Sequence, residues 1–461
     1  MPEQDTLLEL DDENMYQSAV GREHGLTVET VDAYADDISE YTDRIQERRG
    51  GDLGFMDLPY DSRLVDTIEE KASSLGDWCE NFVVLGIGGS ALGNITLNRA
   101  LLHPQHNLLP ADHPARDGNP RVFVLDNVDP HRIKGLLKLL RGQMSKTAFN
   151  VITKSGSTAE TMSLFLHVRE LLSRIDGCDP ARQMILTTDE DPVNSVLRRI
   201  GEDGDYFMLP LPRNVGGRFS VLSAVGLMQA AACGINVAEL LEGAAAMDEQ
   251  CRENILQANP AALYACLLYE HYRNGKHIDV LMPYTDSLSA FSDWFCQLWA
   301  ESLGKRHGIG EKNVFRGPTP VGAVGVTDQH SVMQLFQDGP FDKVLTLLEV
   351  TDEDGVELPI CPGEAEEELE YLAEHSFDEL FHAELQATRC ALRDKNRPNC
   401  TLRIPEVSER TLGELFMFFE YAVTYSGYLY QVNAFNQPGV ELGKQYTYGL
   451  MGRDGYESPQ L

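Results

Sequence analysis

Short apolar runs separated by helical stretches recur along this chain, and that alternation leaves few folds open. Phe82 to Leu85, Arg121 to Leu125, Phe149 to Thr153 and Gln183 to Thr187 each read as strands with helical patterns between them. Strands joined through helices run parallel, because the crossover returns the chain to the same end of the sheet. After a helical region from about Ala224 to Asn274 the pattern repeats at His277 to Pro283, Val321 to Val326, Lys343 to Val350 and Cys400 to Ile404. The expectation is therefore an α/β fold: two doubly wound domains with mainly parallel sheets, over residues 51–234 and 235–461. An acidic, helix-prone arm without strand alternation precedes them over residues 1–50. The apolar stretch Leu412 to Tyr430, rich in Phe and Tyr, reads as a core helix in a C-terminal helical segment. Thr351 to Glu384, crowded with acids, reads as a solvated loop and helix face.

Charge excludes some functions. The formal balance is 38 − 72 = −34, which argues against nucleic acid or an anionic membrane as partner, since both need a cationic face. A locally cationic site could still take an anionic substrate. No apolar run approaches the length of a membrane span and the acidic start is no signal peptide, so a cytoplasmic protein is expected. Nine cysteines at scattered spacings with no C-x-x-C pair read as reduced, mostly buried thiols and supply no metal site.

Chemistry concentrates in a few loops. Lys154-Ser155-Gly156-Ser157-Thr158 lies between a strand's end and a helix's start. Its hydroxyls, the free N–H groups of the first helical turn and the positive end of the helix dipole converge on one point, which suits an anion, phosphate first. A Ser/Thr helix cap is the plainer alternative. Gly86-x-Gly88-x-x-Ala91 fits the dinucleotide fingerprint, with Asp126 closing the next strand. That acid lies 40 residues after Gly86, about twice the usual spacing, and a second anion loop follows. Small residues at Gly89 and Ser90 equally suit a backbone that approaches a sugar phosphate.

In Val215-Gly216-Gly217-Arg218, two glycines admit a ligand close to the backbone, and the guanidinium can neutralise a developing oxyanion. On the apolar helix Phe291 to Leu303, Gln297 and Glu301 stand four apart and share a face. Trp294, Phe295, Leu298 and Trp299 around Glu301 predict a carboxyl with a raised pKa, suited to proton transfer. His330 follows a strand directly, and Lys444 follows the Pro438-Gly439 turn; alone, neither says much.

Taken in order, GIGGS, KSGSTAET, VGGRFS, AESLGK, TDQHS and FNQPGVELGK resemble phosphoglucose isomerases from about Val83 to Lys444, in the shorter bacterial form. Arg213, where an acidic or small polar residue is expected, departs from the pattern. The resemblance implies SIS-type (sugar-isomerase) domains, a homodimer with shared active sites, and reversible conversion of glucose 6-phosphate to fructose 6-phosphate without a cofactor. It implies phosphate binding by Lys154, Ser155, Gly156, Ser157 and Thr158, and sugar binding by Gly89, Ser90 and Gln297. Glu301 would be the base moving a proton between C2 and C1 and Arg218 the stabiliser of the enediolate. His330, reaching in from the neighbouring subunit, and Lys444 would assist ring opening. Two rivals remain: a non-catalytic SIS-type regulator that binds a sugar phosphate, and an isomerase that also accepts mannose 6-phosphate.

Overall fold

The computed structural model describes residues 7–310, 312–351, 358–361, 363, 366–373 and 375–460. Its first sheet has five parallel strands in the spatial order Arg121–Leu125, Asn81–Leu85, Thr147–Ile152, Met184–Thr188 and Phe207–Pro210. Asn81–Leu85, Thr147–Ile152 and Met184–Thr188 are buried along their whole length. Strands covered by helices on both faces have no solvent side, and this is why they read as continuous apolar runs without alternation. Numbered along the chain, the order is 2-1-3-4-5. The chain changes direction between the strands ending at Leu85 and Ile152, and such a switch point opens a crevice at the strands' carboxyl ends.

The second sheet repeats that arrangement. Thr319–Gly322, Ile278–Pro283, Lys343–Val350 and Asn399–Ile404 pair in parallel, in the order 2-1-3-4. Glu9–Asp11 adds an antiparallel edge strand, Leu10 opposite Leu402. The helix Glu409–Tyr430 is buried over nearly its whole length, and packs on Val237–Gln250, Pro260–Arg273 and Ser289–Leu303. Phe416 and Phe419 touch Phe291, and Phe419 also touches Phe295 and Trp299, which anchors Ser289–Leu303 by its aromatic face.

The structure departs from the sequence-based expectations at several elements. The arm over residues 1–50, expected without strands, contributes Glu9–Asp11. Its pairing is stabilised by Asp11, which meets both Arg389 and Arg403, a tertiary context that overrides weak local propensity. Phe207–Pro210 was not expected; it is a short edge strand ended by proline. Thr319–Gly322 is shorter than the expected Val321 to Val326, and the chain then enters a 3-10 turn over Thr327–His330. A hairpin of Lys305–His307 with Asn313–Arg316 was also unforeseen. Part of the acidic stretch Thr351 to Glu384 lies outside the described residues; within the described part, Phe377–Asp394 is a helix opened by a Ser376–Glu379 capping box. Cys79, Cys233, Cys251, Cys266 and Cys400 are buried free thiols. Among the described residues no helix is long and apolar enough to cross a membrane.

Candidate active site

The first sheet's switch point carries both glycine-containing loops. After Ile152 the chain turns through Lys154–Thr158 into the helix Ala159–Ser173. Gly156 has φ +58°, and a Cβ there would lie 2.4 Å from the Leu197 amide nitrogen, so backbone conformation and space both require glycine. Ser157 donates from N and Oγ to Ser155 Oγ (3.3 and 2.9 Å), and Thr153 Oγ1 donates to Thr158 Oγ1 (3.0 Å). Thr158 occupies the helix N-cap without a side-chain cap bond. The plainer capping role is therefore not the one its hydroxyl performs, and the positive end of the helix faces the crevice.

Lys154 points elsewhere. Its Nζ donates to the carbonyls of Arg213 (2.7 Å) and Val215 (2.9 Å), bracing the neighbouring loop. Burial pushes this ammonium's pKa down, with Asp189 opposing. Arg213, the departure from the motif pattern, faces Asp189 and Asp191 at 3.5 and 3.8 Å, so its charge is balanced on the far side of the loop.

The loop after Leu85 meets the Arg218 loop by direct backbone packing. A Cβ at Gly89 would lie 2.2 Å from the Gly217 carbonyl, a close approach that only glycine permits. Gly88 sits beneath Gln297, whose Nε2 would be 3.0 Å from a Cβ at that position. These contacts deliver Arg218 to the helix Ser289–Leu303. Arg218 Nη1 donates to Glu301 Oε2 (3.2 Å) and Gln437 Oε1 (3.1 Å), while Nε donates to Ser302 Oγ (2.7 Å). Nη2 reaches the carbonyls of Ala434 and Asn436. Gln297 Nε2 donates to the other Glu301 oxygen at 3.0 Å.

The burial of the pair is uneven: the Arg218 side chain is 1% exposed and that of Glu301 33%. A dry guanidinium fixed by this many acceptors is a preorganised positive charge, whereas the carboxylate is partly open to solvent. The aromatic side chains expected to surround Glu301 are instead buried in the core against Phe416 and Phe419.

The C-terminal segment closes the crevice from the other side. Val440, Glu441, Gly443, Lys444, Thr447 and Tyr448 line a cavity of about 600 Å³ with Ile87 and the loop Ser155 to Glu160. Tyr448 donates its hydroxyl to the Ser157 carbonyl at 3.2 Å, and Lys444 Nζ to Glu441 Oε1 at 2.8 Å. Ile87 on the cavity wall adjoins Gly88, which sits against Gln297, and Gln437, bound to Arg218, precedes the segment from Val440 by three residues. The structure thus brings together Ser155, Ser157, Thr158 and Lys444, with Gly89, Gln297, Arg218 and Glu301 alongside. His330 is exposed at the end of its 3-10 turn and is not among the residues that line this cavity. Ser302, Asn436 and Gln437 were missed as site residues. Asn436 and Gln437 lie inside FNQPGVELGK, and only that motif could have pointed to them.

A hydroxyl-rich loop at one switch point, with a partly exposed carboxylate held against a buried guanidinium, fits an α/β enzyme of the sugar-phosphate isomerase class. A family model described as phosphoglucose isomerase matches residues 64–451, and the chain belongs to that family. It is 42% identical over 454 residues to a glucose-6-phosphate isomerase of Carboxydothermus hydrogenoformans, covering 98% of this chain and 96% of that protein. A glucose-6-phosphate isomerase of Rubrobacter xylanophilus is 43% identical over 88% of this chain and 90% of its own length. Among solved structures, a Thermus thermophilus protein described as hypothetical superposes with a TM-score of 0.84 at 34% identity, covering 96% of this chain and 100% of that one. A Chlamydia trachomatis glucose-6-phosphate isomerase, at 21% identity and TM-score 0.77 over 96% of this chain and 91% of that one, shares the fold.

Proposed function

We propose that the chain interconverts glucose 6-phosphate and fructose 6-phosphate. The observation that carries this reading is the Arg218–Glu301 contact at 3.2 Å, joined through Gln437 to the C-terminal segment that lines a cavity with the hydroxyl loop. In the opened sugar Glu301 takes the C2 proton, the C2 electrons form the C1=C2 bond, and the aldehyde oxygen becomes an enediolate oxygen. Arg218 stabilises that charge. Return of the proton to C1 and loss of the O2 proton to O1 give the ketose. General-base transfer contributes roughly 10²- to 10⁴-fold and a fixed oxyanion partner roughly 3 to 4 kcal/mol, and none of these steps calls for a cofactor.

We assign the phosphate to Ser155, Gly156, Ser157 and Thr158, with Lys154 supporting the Arg218 loop, and the sugar to Gly89, Ser90 and Gln297. Lys444, on the cavity wall, and His330, from a second copy of the chain, assist ring opening. The working unit in this reading is a homodimer in the cytoplasm, each chain made of two units, residues 51–234 and 235–461, with residues 1–50 as an arm. The regulator reading is less favoured, because a binding module has no need of a buried guanidinium held against a solvent-facing carboxylate.

A coupled assay with either sugar phosphate tests the whole reading. Turnover in both directions is expected; ligand binding without turnover would restore the regulator. The phosphate assignment has its own test. Replacing Ser155, Ser157 and Thr158 together by alanine should weaken a phosphorylated sugar acid by about 10²-fold, since each hydroxyl contributes about 1 kcal/mol and those to a charged group somewhat more. An unchanged inhibition constant would move the phosphate to the Gly86 to Gly93 loop.

A further inference from the structure

Lys305 stands two residues beyond the helix that carries Glu301, as the first residue of a strand. It is only 6% exposed, which is rare for lysine without a carboxylate partner. Its ammonium donates instead to two backbone carbonyls, those of Glu301 and Asn436. The first is one of the helix's last acceptors. Gly304 N takes Ala300 O, so Lys305 caps the next carbonyl with its side chain, at the negative end of the helix dipole. The second carbonyl belongs to the loop that presents Gln437 to Arg218, and Asn436 O also accepts from Arg218 Nη2 at 3.3 Å. Two buried cations therefore converge on one carbonyl oxygen. The ionisable groups acting on Lys305 are Arg218, which opposes its charge, and Glu301, which favours it.

We propose that Lys305 is a positioning residue for the isomerisation: its ammonium ties the helix bearing Glu301 to the 434–437 loop, and so sets the spacing of Glu301 and Arg218. The two elements lie 131 residues apart in sequence and have no other cation bridging their backbones among the described residues. Arg218 itself meets that helix only through the Ser302 and Glu301 side chains; the Lys305 tie joins the two backbones from which those side chains and Gln437 project. A misplacement of about 1 Å between reacting groups can cost about 10²-fold in rate. Ground-state binding at the phosphate loop, on the other sheet, is left alone.

This inference rests on the isomerase reading, and the experiment separates the two. The kcat and KM of wild type, Lys305→Met and Lys305→Arg are measured from pH 6 to about 10. Burial and Arg218 push the Lys305 pKa down to about 8. The group is charged below that pH and loses its proton as pH rises through it, so wild-type kcat should fall above about 8. Lys305→Met should show kcat about 10²-fold lower at neutral pH, KM within about threefold of wild type, and no such limb. Lys305→Arg keeps the donors and cannot lose its charge in this range, so it should recover much of kcat and move the alkaline fall out of range. An alkaline limb at the same pH in Lys305→Arg overturns the proposal, even if Lys305→Met fails to fold; so does full kcat in a folded Lys305→Met. No turnover by wild type would instead strike the isomerase reading itself.

Discussion

Replacing Glu301 by glutamine is expected to lower kcat by at least about 10²-fold while leaving affinity for phosphorylated ligands close to wild type. The amide has nearly the volume of the carboxylate, and its oxygen can still accept from Arg218 Nη1, as Oε2 does at 3.2 Å. The hydroxyl loop, which carries the phosphate in our reading, lies on the other sheet, so binding has no reason to change. What disappears is the lone pair that takes a proton from carbon. Solvent deuterium exchange at C2 provides the check because it reports the proton step without requiring a complete turnover. Exchange at the wild-type rate in the variant would remove Glu301 from the role and turn attention to other groups around the cavity, Glu160 and Glu441 first.

The second large effect concerns assembly. Within one chain His330 is exposed and lies outside the cavity lining. If it serves the neighbouring copy, each site of a two-fold dimer pairs one chain's Glu301 with the other's His330. A Glu301→Gln chain and a His330→Ala chain, each nearly inactive alone, are unfolded and refolded together. In a mixed dimer one site collects both lesions and the other collects neither. Random pairing makes about half the dimers mixed, each with one intact site of two, so activity should recover to roughly a quarter of wild type. Were both residues drawn from the same chain, every site would carry a lesion and the mixture would stay inactive. That result would leave both residue assignments standing and remove only the shared site.

The longer apolar runs, none with an exposed position, could be read in the sequence. Lys343–Val350 and Arg121–Leu125 appear with the expected ends, and Glu409–Tyr430 is the expected core helix extended at its start by three residues. Strands whose existence depends on a neighbour, Glu9–Asp11 and Phe207–Pro210, could not be read. Three or four residues of edge strand carry no period of their own, and each is placed by a partner strand elsewhere in the sequence. His330 shows the same limit. A strand was extended to Val326 because the run is apolar, whereas pairing with Ile278 to Leu281 stops at Gly322 and the chain turns before reaching the histidine.

Some of the site follows from local order in the chain. A polar loop after a buried strand and before a helix places hydroxyls and amides at one point, and a spacing of four puts Gln297 and Glu301 on one helix face; both consequences come from helix and strand geometry alone. The motif order was enough to reach the family. Which cation faces which acceptor was decided only by tertiary packing. Lys154 and Lys305 are both lysines beside conspicuous motifs, yet each donates to at least one backbone carbonyl brought from 59 to 131 residues away. Arg218 meets Glu301 across 83 residues and Gln437 across 219. A side chain's charge is written in the sequence, but its partner depends on which segments the two sheets and the helix Glu409–Tyr430 press together, and burial then fixes how strongly that charge acts.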